Sequence, residues 1–430
     1  MQQAFRASIF HCLADPGPQA ADSAVEYFED GLLVVENGAF SAIGPAEDLL
    51  ATLPDDTQVE DLSGKLIVPG LIDCHVHYSQ LDIIASYGEQ LLDWLHRYAY
   101  PEEARFADAD HARAVAEFFL DELLRNGTTT ALVFATVFPQ SVDAIFAAAE
   151  KRNMRLIAGK VLMDRMCPDE LCDDAESAYA DSKALIECWH GKGRLGYAIT
   201  PRFALTSSEE QLEAAGRLAG EYPDTWVHTH LAENQEEVEQ ISQQFPWSRS
   251  YLDVYDHFGL LRDRAIFAHC LHLDATDRAL MAQKGGAGAF CPTSNLFLGS
   301  GLFDLRSMTD AGVKVGLATD VGGGTSLSLL RTMSAAYKVL HLQGQSLPAS
   351  RALYLATLGA AEALDLDSYI GNFAQGKEAD FVVLDPDGST ITARRAQAAT
   401  SIDELLFSLI FLGDDRNIAA TYLQGRRMKV

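Results

Sequence analysis

Eight near-continuous apolar runs recur between residues 65 and 324, and amphipathic segments separate them. The runs are KLIVPGLIDCHVH, GTTTALVFATV, RLIAGKVLMD, GYAITPRFAL, WVHTHLAEN, AIFAHCLHL, GAGAFCPTSN and KVGLATDVGGG. Strands buried on both faces of a parallel sheet are typically apolar along their whole length. Intervening segments such as ADHARAVAEFFLDELLRNG carry apolar residues at helical spacing. The alternation predicts an α/β fold, a (β/α)8 barrel of the TIM type, with a doubly wound sheet as the main alternative.

Short apolar stretches, broken by Gly, Asn and Pro, occupy both ends of the chain. DGLLVVENGAFSAIG lies near the start, and EADFVVLDPDG and NIAATYLQGRRMKV lie near the end. This pattern is typical of strands joined by turns. We therefore predict a small β-sandwich domain formed by both chain ends. Residues 1–68 would be its N-terminal part, residues 69–366 the barrel, and residues 367–430 its C-terminal part.

The charge of the chain narrows the choice of partners. The 430 residues include 61 acidic and 33 basic side chains, and the formal net charge is −28. Such a surface repels phosphate backbones and anionic lipid, so nucleic acid and membrane surfaces are disfavoured as partners. No segment approaches a membrane-spanning run. A small-molecule substrate is the expected partner.

The cysteines indicate a reducing compartment. Their number is seven, which is odd, and they show no regular spacing. In a chain of this length we expect free thiols and a cytoplasmic protein. Cys167 and Cys172 are the closest pair, and we expect them to be loop thiols rather than part of a zinc knuckle.

Histidine and carboxylate side chains are concentrated at the ends of the apolar runs. Five of the 12 histidines lie at the ends of only three runs. In a (β/α)8 barrel, chemistry takes place at the carboxyl ends of the strands. One such residue alone is usually a packing or turn residue, but the group together predicts a shared site. In chain order the candidates are His75, His77, Arg202, Phe203, His228, His230, Glu233, His269 and Asp320.

The composition of this group predicts a site for a divalent metal ion. Three imidazoles and one carboxylate, without cysteine, suit zinc or a similar ion. Such an ion lowers the pKa of bound water, and a neighbouring carboxylate can carry the proton to a leaving group. Glu233, three residues beyond His230, is placed for this shuttle. Asp320 can bind the metal and accept a proton, and His269 can hydrogen-bond the water or the oxyanion. The predicted catalytic residues are Glu233, His269 and Asp320.

The order of these motifs resembles the amidohydrolase superfamily, in its branch with a single metal ion. VPGLIDCHVH is similar to the first-strand signature of that superfamily. Members with two ions carry a bridging lysine at the end of strand four, where this chain has Arg202. The resemblance therefore implies one divalent ion held by His75, His77, His230 and Asp320. Zinc is the first choice and iron the alternative, because these ligands suit both.

Several longer stretches resemble the guanine deaminases within this superfamily. They are HYSQLDIIASYGEQLLDWLHRYAYPEEARF, TPRFALTSS, THLAENQEEV, FCPTSNLFLGSGLF, TDVGGGTSLS and LLFSLIFLGDDRNIAATYLQG. The resemblance implies hydrolysis of guanine to xanthine and ammonia, a step of purine catabolism or salvage, by a homodimer. It also implies substrate contacts from Gln80, Arg202, Phe203, His77, His230, Glu233 and Asp320. Guanine offers a carbonyl for Arg202, an amide edge for Gln80 and an aromatic face for Phe203.

Two other functions stay open at this point. The same chemistry could act on a related amino-heterocycle: 8-oxoguanine, a pterin, or an aminotriazine such as ammeline. Gln80 and Arg202 favour guanine over these. Alternatively, the barrel could be a non-catalytic scaffold. The presence of all the metal and proton-shuttle residues argues against a scaffold, because scaffolds usually lose such ligands.

Overall fold

A computed structural model describes residues 2–88 and 90–429. The strands in chain order are β1 Gln2–Cys12, β2 Val25–Glu36, β3 Ala39–Pro45, β4 Gln58–Pro69, β5 Leu71–His77, β6 Thr128–Phe134, β7 Arg155–Gly159, β8 Val161–Leu162, β9 Leu195–Pro201, β10 Trp226–Leu231, β11 Ala265–His269, β12 Ala287–Phe290, β13 Lys314–Leu317, β14 Phe381–Leu384, β15 Ile418–Leu423 and β16 Arg426–Arg427.

Helices lie between most of these strands. They are α1 Ala46–Leu50, α2 Leu91–Trp94, α3 Tyr100–Ala104, α4 Ala109–Arg125, α5 Pro139–Arg152, α6 Ala175–Trp189, α7 Glu209–Glu221, α8 Gln235–Gln244, α9 Tyr251–His257, α10 Ala275–Lys284, α11 Pro292–Phe297, α12 Leu305–Asp310, α13 Leu329–Leu342, α14 Ala349–Leu355, α15 Leu358–Ala363, α16 Thr390–Gln397 and α17 Ile402–Leu412. A π-helical turn, Leu95–Ala99, joins α2 to α3.

Eight parallel strands form a nearly closed barrel, which confirms the predicted α/β fold. Their hydrogen-bonded order is β5-β6-β7-β9-β10-β11-β12-β13, and the short β8 also pairs with β9. Two backbone hydrogen bonds join the first strand to the segment after the last. The Asp320 N–H donates to the His75 carbonyl at 2.9 Å, and the His77 N–H donates to the Val321 carbonyl at 2.7 Å. Each of the eight apolar runs contains one barrel strand, and the third run is divided at Lys160 into β7 and β8.

Polar side chains begin several of the helices that connect these strands. Asp174, Ser208, Asn234 and Asp274 precede α6, α7, α8 and α10, and each accepts backbone N–H groups of the first turn. These N–H groups have no partner within the helix, so the caps stabilise each helix start by about 1 kcal/mol. The chain therefore leaves a strand and enters a helix at defined positions, which holds the strand-end residues in place.

The other strands form one continuous sheet, which confirms a separate β region built from both chain ends. The packing of this region as a sandwich stays a prediction. The strand order of the sheet is β16-β15-β14-β4-β1-β2-β3, and within it β1 and β4 are parallel. Aromatic residues from both ends fill its core, among them Phe5, Phe40, Phe381 and Tyr422. Residues 2–72, 121–130 and 328–429 form one compact unit, and residues 73–120 and 131–327 form the other. The domain boundaries given above stay a prediction.

Cys167 and Cys172 form a disulfide in the segment after β8, so the expectation that they are free loop thiols is wrong. A short helical turn, Asp169–Leu171, lies between them and brings their Cα atoms to 5.9 Å. Spacing along the sequence does not reveal such a turn. The other five cysteines, Cys12, Cys74, Cys188, Cys270 and Cys291, form no disulfide, and of these only Cys188 is exposed. Within the described ranges, no helix has the length and apolar character needed to cross a bilayer.

Candidate active site

The strand ends bring the predicted histidines and Asp320 together in one buried cluster. The Nε2 atom of His77 lies 3.2 Å from that of His75 and 3.3 Å from that of His230. Asp320 Oδ1 lies 3.1 Å from His75 Nε2 and 3.4 Å from His77 Nε2. His75 and His230 also form, with His269 and Asp320, a group whose possible ligand atoms all lie within 4.8 Å of one another.

These separations are short enough for one ion to contact the ligand atoms together. Zinc–nitrogen bonds are about 2.0–2.1 Å long, so two ligand atoms of one ion lie within about 4 Å of each other. Burial lowers the pKa of His75, lowers that of His77 to about 4 and lowers that of His230 well below its ordinary value. Neutral imidazoles have lone pairs on Nε2, and buried lone pairs that face one another need a cation between them. The donor set therefore fits a divalent ion.

Hydrogen bonds at Nδ1 orient three of the imidazoles. His230 Nδ1 donates to the Arg202 carbonyl at 2.6 Å, and His75 Nδ1 lies 2.7 Å from His228 Nε2. His269 Nδ1 lies 2.8 Å from Asn295 Oδ1. Partners of this kind set the tautomer and leave Nε2 free to face the site. His228 thus serves as a hydrogen-bond partner of a cluster histidine.

Asp320 is held by an unusual local backbone. It has a φ of +50°, and His269 has a φ of +75°, both in the left-handed region. Such residues cost about 1–3 kcal/mol each and occur mainly at functional sites. Gly322 follows closely, and a Cβ there would lie 2.8 Å from the Gln80 carbonyl oxygen. Only glycine permits this approach, which explains part of the motif TDVGGG.

Although burial opposes ionisation, interactions with His75 and His77 hold the pKa of Asp320 well below its usual range. Asp320 is therefore a carboxylate that faces the imidazoles. Asp73 supports the same strand ends, because it accepts hydrogen bonds from the hydroxyl and the N–H of Thr319. An ionised carboxylate next to neutral imidazoles completes the donor set described above.

Glu233 lies beside the cluster, just before α8. Its Oε2 is 3.4 Å from His269 Nε2, and its Oε1 accepts the Ser300 hydroxyl at 3.0 Å. Burial, with the charge of Asp320, raises the pKa of Glu233 to about 8. A carboxyl group that titrates near neutral pH is suited to general acid–base work. Glu237 anchors this turn, since its carboxylate accepts the Glu233 N–H at 3.0 Å.

A second group of side chains lies on the segments that follow β5, β9 and the π-helical turn. Gln80 Nε2 donates to Glu103 Oε1 at 2.8 Å, and Arg202 Nη1 donates to Glu103 Oε2 at 2.7 Å. All three side chains are buried. The guanidinium of Arg202 also lies 5.2 Å from the centre of the Tyr100 ring. Burial alone would lower the pKa of Arg202, but the Glu103 carboxylate raises it above its ordinary value.

One pocket joins the two groups. Polar lining residues include Gln80, Arg202 and Glu233 together with His77, His230, Glu237, His269 and Asp320. The apolar lining residues are Leu91, Trp94, Leu95, Phe203 and Leu298. Small-molecule sites combine apolar and aromatic side chains with convergent polar groups that fix the orientation of the ligand. The pocket therefore suits a flat heterocycle with a polar edge.

The structure brings every candidate from the sequence into this region, and it adds residues that sequence reasoning missed. Tyr78 and Ser79 do not take part, because their hydroxyls donate to the backbone carbonyls of Ser141 and Ala135. The missed residues are Trp94, Glu103, Glu237, Asn295 and Ser300. All five residues lie inside stretches that resemble guanine deaminases, and this resemblance is the sequence feature that could have identified them.

Comparisons with known proteins point in the same direction. Residues 66–428 match the amidohydrolase family. The chain is 52% identical to the guanine deaminase of Escherichia coli (strain K12) over 409 residues, which cover 95% of this chain and 93% of the relative. A solved structure of the E. coli guanine deaminase superposes with a TM-score of 0.97 and covers 99% of both chains at 50% identity.

A more distant solved structure carries a ligand. The guanine deaminase from C. acetobutylicum, described with bound guanine in its active site, superposes with a TM-score of 0.91. Its identity is 28%, and the superposition covers all of both chains. Both superpositions therefore extend over nearly the whole of this chain.

Proposed function

The chain belongs to the amidohydrolase family, and from that premise we propose that it hydrolyses guanine to xanthine and ammonia. One observation carries the proposal. The guanidinium of Arg202 and the amide of Gln80 line the same pocket as the imidazole–carboxylate cluster. Arg202 and Gln80 can hydrogen-bond a heterocycle that carries a carbonyl group, and the imidazole–carboxylate cluster in the same pocket can support its hydrolysis. The activity named for the relatives at 52% and 28% identity agrees with it.

One divalent ion, zinc with iron as the alternative, would be held by His75, His77, His230 and Asp320. Their ligand atoms lie 3.1–3.4 Å apart in the measured pairs. When bound, such an ion acts as a Lewis acid and lowers the pKa of water.

His269 is assigned to the water rather than to the ion. Its Nε2 lies 3.4 Å from the Glu233 carboxylate and 3.7 Å from Asp320 Oδ2. A group between two carboxylates can hydrogen-bond the water or the oxyanion that forms from it. Asn295 holds its ring in place.

The side chains of this chain then divide the remaining work. As the water oxygen bonds to C2 of guanine, Glu233 takes one proton from the water and delivers it to a ring nitrogen next to C2. Asp320 accepts the second proton, from the hydroxyl group now on C2, and Glu233 relays that proton to the departing amine. The bond from C2 to the amine nitrogen then breaks, and ammonia leaves. Arg202 grips the carbonyl, Gln80 contacts the amide edge, and Phe203 packs against the ring. His77 and His230 also face the substrate. Xanthine and ammonia account for all atoms of guanine and one water.

The experiment that tests the proposal follows guanine absorbance and ammonia release with purified, metal-analysed protein. We expect one divalent ion per chain and turnover of guanine well above that of 2-aminopurine, which lacks the carbonyl. Preferred turnover of 8-oxoguanine, a pterin or ammeline would replace guanine as the substrate while leaving the chemistry in place. Metal-loaded protein without turnover of any of these would contradict an enzymatic role. The homodimer and the cytoplasmic location stay predictions.

A further inference from the structure

Glu103 connects the two side chains that are proposed to read the substrate. It lies on the short helix α3, and its side chain is 1% exposed. One carboxylate oxygen accepts from Gln80 at 2.8 Å, and the other accepts from Arg202 at 2.7 Å. A single carboxylate therefore spans two donors that come from different strand ends.

The first contact determines how the amide of Gln80 is turned. An ionised carboxylate only accepts hydrogen bonds, so the amide nitrogen must face Glu103. On the other side, the amide oxygen of Gln80 accepts the Gly322 N–H at 3.3 Å. Reversing the amide would place its oxygen against the carboxylate and its NH₂ against an N–H group. Glu103 and Gly322 together thus select one orientation of the Gln80 side-chain amide.

The second contact balances the charge of Arg202. This guanidinium is 2% exposed, and a buried charge without a partner is strongly unfavourable. The ion pair with Glu103 and the face of the Tyr100 ring fix the plane of the guanidinium. Because Glu103 holds Nη1 of Arg202, the other N–H groups of the guanidinium keep a fixed orientation.

We propose that Glu103 is a positioning residue that sets the substrate specificity of the pocket through Gln80 and Arg202. The proposal rests on the proposed function, since it concerns how guanine is recognised. Gln80 and Arg202 are among the described residues that line the pocket, and Glu103 is not. Glu103 therefore acts through its two partners rather than on the reacting atoms.

The chemistry of the carboxylate is specific to this task. Glu103→Gln offers one acceptor and one NH₂ group, so it can satisfy only one of the two donors and leaves Arg202 without its counter-charge. Glu103→Asp keeps the charge but shortens the side chain, so it cannot reach both donors equally well. Neither change removes atoms from the pocket wall itself.

The neighbouring Glu102 provides a matched control. It lies on the same helix and is also buried. Its carboxylate, however, pairs with Arg105 at 2.7 Å, whereas that of Glu103 binds Gln80 and Arg202. We therefore compare Glu103→Gln with Glu102→Gln in the metal-loaded full chain. The readouts are kcat and KM for guanine and for 2-aminopurine, metal content and the midpoint of thermal unfolding.

For Glu103→Gln we expect kcat/KM for guanine to fall by roughly 10²-fold, the scale of a misplacement of about 1 Å. The rise in KM should exceed the fall in kcat, and the preference for guanine over 2-aminopurine should shrink. Metal content should stay at the wild-type level, and Glu102→Gln should behave as the wild type. In an Arg202→Ala background, the same Glu103→Gln change should have much less effect, because one of its two partners is gone.

Equal losses on guanine and 2-aminopurine, in step with lost metal or lost folded protein, would show a merely structural role and overturn the proposal. Kinetics of Glu103→Gln that match those of Glu102→Gln would also overturn it. If Glu103→Gln does not fold, Glu103→Asp takes its place with the same readouts and the same expected loss of preference. Wild-type protein that does not deaminate guanine would instead contradict the proposed function, so the two failures are distinguishable.

Discussion

The pocket has two walls that are built in different ways. We call the group His75, His77, His230 and Asp320 the metal wall, and the group Gln80, Arg202 and Phe203 the reading wall. His75, His77 and His230 are residues of β5 and β10, and Asp320 lies three residues after β13. The residues of the reading wall follow the ends of β5 and β9, and Gln80 and Arg202 are held by Glu103 on a helix.

In the proposed function, the side chains that bind the metal and those that recognise the substrate are therefore held largely by different neighbours, although the backbone carbonyl of Arg202 also accepts from His230 Nδ1. The metal wall depends on strand alternation and parallel register, which a barrel reproduces in any member of the fold. The reading wall depends on loops and short helices, which vary without disturbing the strands. Damage to one wall should therefore leave the properties of the other largely intact, and the following changes test that separation.

The largest effect is expected from the metal wall. His230→Ala removes a ligand atom that lies 3.3 Å from His77 Nε2. Since the ion supplies several kcal/mol of stabilisation, turnover should fall by about 10³-fold or more, together with metal content. Elemental analysis and guanine absorbance measure the two losses. A variant with full metal content and normal turnover would remove His230 from the ligand set.

Glu233→Gln should separate proton transfer from metal binding. The amide keeps the shape of the side chain and can still accept the Ser300 hydroxyl, but it cannot carry a proton. Turnover should fall by about 10²-fold or more with the metal retained, which is the usual scale for a general acid–base group. Steady-state kinetics on metal-analysed protein check this. Near-normal turnover would transfer the role to His269 or Asp320.

Arg202→Ala should damage the reading wall alone. It removes the guanidinium proposed to grip the carbonyl and leaves Glu103 without its 2.7 Å partner. We expect kcat/KM for guanine to fall by about 10²-fold, while 2-aminopurine is affected far less and metal content is unchanged. Parallel assays of both substrates measure the ratio. Unchanged efficiency with guanine would show that Arg202 does not read the substrate.

The smallest effect concerns the stability of the turn that carries Glu233. Burial, with the charge of Glu233, raises the pKa of Glu237 to about 7, above its unfolded value of 4.5. Below pH 4.5 the group is protonated in both states and costs nothing. As the pH rises from 4.5 towards 7, Glu237 loses its proton in the unfolded chain but keeps it in the folded protein, so the free energy of unfolding falls by about 3 kcal/mol.

Glu237→Gln removes this titration while keeping an oxygen that can accept the Glu233 N–H. Relative to the wild type, the variant should gain stability between pH 5 and pH 8. Denaturant unfolding curves at both pH values measure the change. A wild-type-minus-variant difference that is constant with pH would show that Glu237 titrates normally.

Much of the barrel was predictable because its signals are local. Each apolar run contains a strand of the barrel, although the first run also includes the end of β4. The strand-end histidines face one site, as alternation requires. The division of the third run at Lys160 and the disulfide between Cys167 and Cys172 were not predictable. Both depend on how a short segment turns in space, and neither leaves a periodic pattern in the residues.

The sequence by itself determined the fold class and predicted the residues of the metal wall, because apolar periodicity and side-chain alternation are properties of neighbouring residues. Only the tertiary structure decided that Glu103, 99 positions from Arg202, accepts from it and from Gln80. It alone assigned His228 and Asn295 to the Nδ1 atoms of His75 and His269. Such contacts depend on distances and burial that arise when separate segments pack together, and no local pattern encodes them.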